Sequence, residues 1–445
     1  MHAQSAQSDG PVVWIISTGT EILQGHSTDR NSPWLSHCLM AAGFTVVRHM
    51  ALADDPETLR EGLGEGARRA DLILTTGGLG PTIDDHNRRV IAELWGAELR
   101  EDAEALERIR ERFHKRGRSM PEGNRVQALI PAGAVTLSNP VGTAPGFYLS
   151  PSGTSGLRAT VCALPGPPQE MQPMFTEQVL PLIGRQFGAS RRQLRTLTLR
   201  TIGVPESHIN EQVKDLFETD PRVKLAMLAS LGRVDIRLTL TGADENENAR
   251  LEDAWRKKIL ERVDPHLVYA EGDRNLEEAV GDLLRERGMT LALAESCTGG
   301  LVGARLTEIP GSSDYFREGF VTYSNEAKMA RLGVPVQDLV EHGAVSRPVV
   351  EAMARGALQT AQTDWALAIT GIAGPGGGAP DKPVGLVWFA LAGPNGSLRS
   401  LCRQFLRSRS EVRLLAATTA MDLLRRGVCG LPLEPEVGLH SAPSD

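Results

Sequence analysis

The sequence predicts an α/β protein built from about three domains, and three observations support this class. The chain has 445 residues, and a domain averages about 150 residues. Hydrophobic residues make up 41% of the chain and charged residues 23%, which is enough apolar material to bury several cores. From Val12 onward, short apolar runs alternate with segments whose apolar residues recur at helical spacing. This alternation is typical of βαβ units with a parallel sheet.

The N-terminal part of the chain contains three predicted strands, each followed by a predicted helix. The strands are VVWIIS, FTVVRHMAL and DLILTTGG, and the helices are NSPWLSHCLMAAG, PETLREGLGEGARRA and HNRRVIAELWG. The run DLILTTGG is largely apolar, as expected for a strand buried on both faces. We therefore predict an α/β domain over residues 11–184, preceded by a polar tail at 1–10.

Two further domains are predicted beyond residue 184. Residues 185–270 contain the strand RTLTLRTIG, the helix SHINEQVKDLF, the strand pair KLAMLASLGRVDIRLTLTG and the helix ENARLEDAWRKKILERV. This pattern predicts a small α+β domain. The helix LEEAVGDLLRERG and the strand TLALAES then begin an α/β domain over residues 275–430, followed by a polar tail at 431–445.

Charge and composition exclude several classes of function. The net charge is −7 and aromatic residues make up only 4% of the chain, so neither a basic field nor a stacking surface favours nucleic acid. Apolar runs stay well below the roughly 18 residues that a membrane helix needs, and the polar N-terminus does not resemble a signal peptide. Five separated cysteines without a CxxC pair are typical of a reducing compartment. We expect a soluble cytoplasmic protein without direct nucleic-acid or membrane contacts.

The clearest candidate for catalysis lies in ALAESCTGGLVGARL, where a predicted strand ends at Ser296. A helix that begins after Gly299 and Gly300 would present free N–H groups, which can stabilise an oxyanion. The later segment VTYSNEAK offers Tyr323 and Lys328. A desolvated lysine can deprotonate a serine, and a tyrosine hydroxyl can relay the proton. The alternative is that Ser296 caps the helix and Lys328 is a solvated surface charge.

Two glycine-rich loops are candidates for phosphate binding. The strand in WALAITGIAGPGGG runs into a loop at 371–378 whose N–H groups can hold a phosphate; a flexible hairpin connection is the alternative. In TTGGLGPTIDDHNRR, the residues Gly77, Gly78, Gly80 and Thr82 follow a buried strand, where open α/β sheets bind ligands. The adjacent Asp84 and Asp85 suit Mg²⁺ held partly by ligand phosphates, or they cap the next helix.

The C-terminal motifs resemble a known enzyme family. AESCTGG, PGSSDYFREGFVTYSNEAKMARLGV, HGAVS and ITGIAGPGGG with KPVG are similar to the C-terminal domain of the CinA family, the nicotinamide-nucleotide amidases. The resemblance implies that nicotinamide mononucleotide is deamidated to nicotinic acid mononucleotide and ammonia without a cofactor. It implies Ser296 as the nucleophile, Lys328 as the base and Tyr323 as its auxiliary. The implied substrate-binding residues are Thr298, Gly299, Gly300, Gly371, Gly374, Gly376 and Arg347.

The N-terminal motifs resemble the N-terminal domain of the same family, which is similar in fold to molybdopterin-binding proteins with three layers. These motifs are TGTEILQGHSTDRN, GGLGPTIDD, GNRVQA, NPVGTAPGF and LPGPPQEMQPMF. The resemblance implies hydrolysis of ADP-ribose to AMP and ribose 5-phosphate, with a divalent metal at Asp84 and Asp85. The implied nucleotide site comprises Glu21, Asp29, Asn31, Gly77, Gly78, Gly80, Thr82, Asn124, Arg125, Asn139, Thr143 and Glu170. The chain departs from the family's pattern at Asn87, where threonine is usual.

The middle domain resembles the family's KH-like domain, but its turns TIGVPES and SLGRVD lack the GXXG loop that grips RNA. We interpret it as a spacer or as part of a homodimer contact. The complete pattern predicts a bifunctional enzyme of pyridine-nucleotide salvage. The alternative is a non-catalytic nucleotide or pterin sensor, or scaffold, in a DNA-damage or competence response.

Overall fold

The computed structural model describes residues 11–152, 156–188 and 194–434. The polar tail predicted at 1–10 and most of the tail predicted at 431–445 lie outside these ranges. The chain divides into two compact units. One contains the described residues up to Arg195 together with Thr241–Ala249, and the other contains Thr196–Leu240 and the described residues from Arg250 onward.

The N-terminal domain is built on a six-stranded sheet with the order β2-β1-β3-β8-β7-β6. The strands β2, β1 and β3 are parallel, as predicted; β8 continues the parallel part, and β7 and β6 add an antiparallel edge. A separate antiparallel pair is formed by β4 and β5. In chain order the elements are β1 (Val12–Thr18), α1 (Thr20–Leu23), α2 (Asn31–Ala41), β2 (Thr45–Leu52), α3 (Pro56–Arg69), β3 (Leu72–Thr76), α4 (Asn87–Trp95), β4 (Leu99–Glu101), α5 (Ala103–Lys115), β5 (Leu129–Pro131), β6 (Val135–Leu137), β7 (Gly146–Leu149), β8 (Thr160–Leu164), α6 (Pro168–Met174) and α7 (Leu180–Phe187).

Both faces of this sheet are covered, which confirms the three-layer prediction. Along β1, Trp14 and Ile16 pack into one buried cluster, whereas Val13 and Ile15 pack into another. Alternate side chains of a strand point to opposite faces, so each face has its own core. The carboxyl ends of the parallel strands β1 and β3 therefore lie side by side, and the loops that follow them can share a ligand.

The middle domain has the element order βαββαβ: the first five elements are those that the sequence predicts, and the last strand was not predicted. Its sheet has the order β10-β11-β9-β12, with β11 and β10 forming an antiparallel hairpin. The apolar face of this sheet packs on Trp255 and Ile259. The elements are β9 (Leu194–Ile202), α8 (Glu206–Val213), β10 (Val223–Ser230), β11 (Arg233–Thr241), α9 (Glu245–Leu260) and β12 (Val268–Glu271).

The C-terminal domain is a second α/β domain, built on a five-stranded sheet with the order β14-β13-β15-β16-β17. The strand β13 is parallel to both neighbours, β14 and β15. Their carboxyl ends therefore bring together the segments that follow Glu295, Val321 and Gly371. The elements are α10 (Leu276–Glu286), β13 (Leu291–Glu295), α11 (Leu301–Thr307), β14 (Phe316–Val321), α12 (Asn325–Leu332), α13 (Val336–His342), α14 (Arg347–Ala361), β15 (Trp365–Gly371), β16 (Leu386–Ala392), β17 (Leu398–Gln404) and α15 (Arg409–Val428).

Candidate functional site

A buried serine–lysine pair lies at the carboxyl end of the C-terminal sheet. Ser296 follows β13, and its backbone N–H donates to the carbonyl oxygen of Ile369 over 3.0 Å. The Nζ atom of Lys328 lies 3.1 Å from Ser296 Oγ, 2.8 Å from Thr322 O and 3.4 Å from Tyr323 O. The side chains are not solvated, because Ser296 is 8% exposed and Lys328 only 1%. The alternative of a surface lysine is therefore wrong.

Burial sets the protonation of the groups around Ser296. Loss of water around the ammonium form lowers the pKa of Lys328 below the usual lysine value of 10.5. Burial also raises the pKa of the neighbouring Cys297 thiol to about 12. A thiol with so high a pKa carries almost no thiolate near neutral pH, and the thiolate is the nucleophilic form. Ser296 is thus the better candidate nucleophile of the two adjacent residues.

The first turn of α11 differs from the sequence prediction. The helix begins at Leu301, but its N–H groups at Val302 and Gly303 donate to the carboxylate of Glu295 over 3.2 and 2.9 Å. That carboxylate is 2% exposed. A negative charge at a helix N-terminus is favourable, so Glu295 takes two donors that the sequence assigns to an oxyanion. The expectation that these N–H groups face the serine is wrong.

Tyr323 does not occupy the place that the sequence predicts. Its side chain is 61% exposed, and its hydroxyl accepts a hydrogen bond from Arg409 over 3.2 Å. Only its backbone carbonyl oxygen faces the Lys328 amine. In the described part of the chain, no hydrogen bond links the Tyr323 hydroxyl to Ser296 or Lys328. The structure therefore does not support a proton relay through this hydroxyl.

Two arginines of α15, which the sequence-based prediction did not include, contact the segments that flank the serine–lysine pair. Arg409 donates to Gly374 O over 2.8 Å, which fixes the glycine loop after β15. Arg413 donates to Thr298 O over 2.8 and 3.3 Å. The Thr298 hydroxyl is fully buried and has no hydrogen-bond partner among the described residues. The segment that follows Ser296 therefore carries the unpaired Thr298 hydroxyl and contacts one cation, Arg413, and the second cation, Arg409, lies at the glycine loop after β15.

The predicted glycines have different roles, and one predicted cation lies apart. Gly299 and Gly300 follow the serine with φ angles of 62° and 89°, a region that favours glycine. A Cβ atom at Gly371 would lie 2.8 Å from Leu386 O and 3.1 Å from Cys297 Sγ, whereas Gly376 has open space around it. Arg347 donates to Ser400 Oγ on β17 and pairs with Glu351 on its own helix. The structure does not bring Arg347 to Ser296.

The N-terminal domain contains a cavity of about 400 Å³ at the carboxyl ends of β1, β3 and β8. It collects eight of the predicted residues, together with Asp54 and Gln127, which the sequence analysis missed. A Cβ atom at Gly80 would lie 2.5 Å from Asp85 Oδ2, so a larger residue there would displace the Asp85 carboxylate. The eight predicted residues that line the cavity are Glu21, Gly77, Gly78, Gly80, Asp84, Asp85, Thr143 and Glu170.

The charged residues that line this cavity are all acidic, and none is a lysine or arginine. They are Glu21, Asp54, Asp84, Asp85 and Glu170. A phosphate ligand cannot bind such a surface unless a cation offsets the carboxylates. Among the described residues, no three His, Cys, Asp or Glu side chains converge as a metal-binding group. A metal here would therefore have at most two such protein ligands, and protein sites often hold Mg²⁺ with one or two carboxylates plus phosphate oxygens.

Several predicted nucleotide-site residues support the loops without lining the cavity. Asp29 accepts hydrogen bonds from Ser17 Oγ, Ser32 Oγ and the N–H groups of Asn31 and Ser32. Although burial opposes it, these bonds lower the pKa of Asp29. Its carboxylate thus anchors the start of α2. Asn31 Nδ2 donates to the carbonyl oxygen of Gly166, which borders the cavity.

Other predicted residues hold the cavity wall or lie away from it. Asn139 Nδ2 donates to Glu170 over 2.6 Å, and Asn124 Nδ2 donates to Gln127 over 2.9 Å. Both asparagines therefore hold residues of the wall. Thr82 donates from its N–H and its hydroxyl to Asp85. Arg125 is exposed and pairs with Glu101 and Glu122, so the prediction that it lines the nucleotide site is wrong.

Asn87, the departure from the expected threonine, is fully buried at the start of α4. Its Nδ2 atom donates to Thr18 Oγ1 over 2.9 Å and to Gly77 O over 2.7 Å. Gly77 has a φ angle of 98°, and a Cβ atom there would lie 2.5 Å from Thr18 O. The amide therefore ties the loop after β3 to the loop after β1. Asn87 supports the cavity from behind.

Fold and sites together define a class of protein. It has two α/β domains, each with a candidate site at the carboxyl edge of its sheet, and a βαββαβ domain between them in sequence. Three family models match in the same order: "Probable molybdopterin binding domain" over residues 14–185, "Damage-inducible protein CinA KH domain" over 196–270 and "CinA C-terminal domain" over 273–428. Domains of these kinds are consistent with a hydrolase-type enzyme.

Relatives cover nearly the whole chain. A CinA-like protein of Geobacter metallireducens is 43% identical over 93% of this chain and 98% of its own length. A CinA-like protein of Crocosphaera subtropica is 42% identical over 93% and 98%. The chain belongs to the CinA family. Among solved structures, the competence/damage inducible protein CihA of Agrobacterium tumefaciens is 43% identical over 35% of this chain and 93% of its own length. The TM-score of this match is 0.34. No helix among the described residues is both long and apolar enough to span a membrane.

Proposed function

We propose that the C-terminal domain deamidates nicotinamide mononucleotide to nicotinic acid mononucleotide and ammonia. The observation that carries the proposal is the buried contact of 3.1 Å between Lys328 Nζ and Ser296 Oγ. A lysine whose pKa is lowered by burial can act as a general base toward a serine hydroxyl. The neighbouring thiol of Cys297 is held in its protonated form, which leaves Ser296 as the nucleophile.

The hydrogen-bond partners of Lys328 favour its action as a base. A neutral amine carries two hydrogens and one lone pair. The carbonyl oxygens of Thr322 and Tyr323, at 2.8 and 3.4 Å, can accept both hydrogens. The lone pair is then directed toward Ser296 Oγ, which donates its proton. Ser296 Oγ attacks the carboxamide carbon, Lys328 returns the proton to the departing nitrogen as ammonia leaves, and water hydrolyses the resulting ester.

Arg409 and Arg413 are suited to recognise the phosphate of this substrate. Arg413 contacts the backbone carbonyl oxygen of Thr298, two residues after the serine, and Arg409 contacts that of Gly374 in the glycine loop after β15. Arginine binds phosphate through several N–H groups held in a fixed plane. The net charge of the chain is −7, so an anionic nucleotide depends on such local cations.

Ammonia release tests the proposal. The purified chain should release one ammonia per nicotinamide mononucleotide consumed, and Ser296→Ala should abolish turnover. The matched control is Ser313→Ala, an exposed serine in the same domain, which should keep wild-type rates. Wild-type rates in Ser296→Ala, with both variants folded, would exclude Ser296 as the nucleophile.

We propose that the N-terminal domain hydrolyses the pyrophosphate bond of ADP-ribose, with products AMP and ribose 5-phosphate. The five carboxylates that line its cavity support a reaction in which a divalent metal neutralises the pyrophosphate. Such a metal supplies Lewis-acid stabilisation of the charge that develops on phosphate oxygens. Asp84 and Asp85 would hold the metal, and the glycine loop after β3 would give the phosphates close access to backbone N–H groups.

A metal titration tests this second activity. With Mg²⁺ varied from micromolar to millimolar, Asp84→Asn should need at least about tenfold more Mg²⁺ for half-maximal AMP formation, because one charged ligand is lost. The control Asp71→Asn removes a carboxylate of the same domain outside the cavity lining. An unchanged Mg²⁺ requirement in Asp84→Asn would contradict the metal role.

A further inference from the structure

A second large cavity, of about 470 Å³, lies within the compact unit formed by Thr196–Leu240 and the described residues from Arg250 onward. Ser296 does not line it. It is bounded by the turn between β9 and α8, the turn between β10 and β11, the strand β17 and the helix α15. Its size falls within the range of small-molecule pockets, which are mostly apolar with a few polar groups. The apolar side chains that line it include Ile202, Val204, Leu401, Phe405, Leu415 and Leu423.

The charged groups at the cavity differ in whether they are already paired. Arg403 is 8% exposed and pairs with Glu434. Asp422 is 6% exposed and pairs with Arg425 at 2.7 Å and Arg426 at 2.9 Å. Two guanidinium groups therefore share one carboxylate directly behind the lining. The Arg403–Glu434 pair is therefore neutral, and Asp422 together with its two arginines is positive.

The remaining charged residues of the lining are Arg233 and Glu206. Arg233 begins β11 and is half-buried, and no hydrogen bond or ion pair joins its guanidinium to another residue in the described ranges. Glu206 is exposed and lies in the first turn of α8, where the helix dipole stabilises an acid. Arg233 thus carries an unpaired positive charge that is partly shielded from water and lies beside the apolar wall of the cavity.

We infer that this cavity binds an amphipathic monoanion: an apolar body about as large as a medium-length acyl chain, carrying a carboxylate that pairs with Arg233. The apolar body contacts the walls formed by Leu415 and Phe405, and the carboxylate accepts charge-assisted hydrogen bonds from the guanidinium. The occupant also touches α15, the helix whose first turns contain Arg409 and Arg413. The inference does not depend on the amidase proposal.

The probe is decanoate, titrated into the full chain by isothermal calorimetry, with decylammonium of the same length as the charge-reversed probe. We expect one decanoate per chain and no saturable heat with decylammonium. Arg233→Gln should weaken decanoate binding at least about tenfold, since a charge-assisted contact is lost. Thr419→Trp, which fills the cavity from a half-buried position of α15, should abolish binding.

The matched control is Lys224→Gln, an exposed cation of β10 outside the lining, which should bind as tightly as the wild type. Thermal melts establish that each variant is folded. Absence of decanoate binding by the wild type would overturn the inference. Equal affinity in Arg233→Gln and the wild type, or binding of decylammonium as tight as that of decanoate, would overturn the assignment of an anion.

Discussion

The buried carboxylate of Glu295 should hold the first turn of α11 and thereby the segment that contains Ser296. The substitution Glu295→Gln keeps the size of the side chain but removes its charge. The two N–H groups donate to different oxygens of Glu295. Glutamine has only one oxygen in place of these two, so its NH₂ group would face the N–H of either Val302 or Gly303. One of the two hydrogen bonds, at 3.2 and 2.9 Å, is therefore lost, and the other becomes neutral.

The expected loss follows from the two contacts. A hydrogen bond to a charged group contributes about 1.5–3 kcal/mol, and a charge at a helix N-terminus adds roughly 0.3–1 kcal/mol. With one neutral bond of about 1 kcal/mol retained, the first turn should lose at least about 2 kcal/mol of local stability. This corresponds to at least roughly 30-fold faster hydrogen exchange by local opening at Val302 and Gly303.

Hydrogen exchange with peptide-level mass spectrometry measures this effect directly. The matched control is Glu308→Gln, an exposed carboxylate at the other end of the same helix, which should leave exchange near Val302 unchanged. Equal exchange rates in Glu295→Gln and the wild type would refute the reasoning, because the two hydrogen bonds would then contribute nothing to the helix start.

Three further predictions follow from the geometry of the two sites. Ammonia release should rise with pH as Lys328 loses its proton, because only the neutral amine accepts the serine proton, and its half-maximum should lie below the usual lysine pKa of 10.5. Arg409→Gln should raise KM for nicotinamide mononucleotide by roughly 10–100-fold with little change in kcat, because phosphate binding is lost in ground state and transition state alike. Asn87→Ala should cost the N-terminal domain about 2 kcal/mol in urea unfolding, since two buried hydrogen bonds are removed.

Each of these predictions has a control and a contradicting result. A half-maximum at or above pH 10.5 would contradict the lowered pKa of Lys328. For Arg409, the control is Arg317→Gln, an exposed arginine of β14, and a fall in kcat at constant KM would contradict a role in phosphate binding. For Asn87, the control is the exposed Gln337→Ala, and unchanged urea midpoints in both would show that the loop contacts add no stability.

The sequence predicts the serine–lysine pair because local signals place both residues. Ser296 follows an apolar strand and precedes two glycines, and Lys328 lies on a helix that Ser324 caps. Parallel pairing of β13 with β14 then brings the ends of both strands to one edge. The α/β class and the first five elements of the middle domain follow from equally local alternation of strands and helices, whereas the three layers of the N-terminal domain were implied by the family resemblance.

The sequence analysis missed Arg409 and Arg413 because they lie more than 100 residues after Ser296 and approach it only through tertiary packing. One signal was available: a helix N-terminus favours acids, yet α15 begins with an arginine. The wrong interpretations have a similar cause. The number of residues between Tyr323 and Lys328 does not reveal that the tyrosine ring faces solvent, nor that Glu295 caps α11.

The central claim is that Ser296 attacks the substrate carboxamide. Rapid acid quench of the full chain during turnover of nicotinamide mononucleotide, followed by peptide mapping, tests it most directly. We expect a peptide that carries the nicotinoyl ribotide acyl group as an ester on Ser296, and we expect this adduct to be lost in Ser296→Ala. An adduct on Cys297, or continued turnover in Ser296→Ala, would contradict the account.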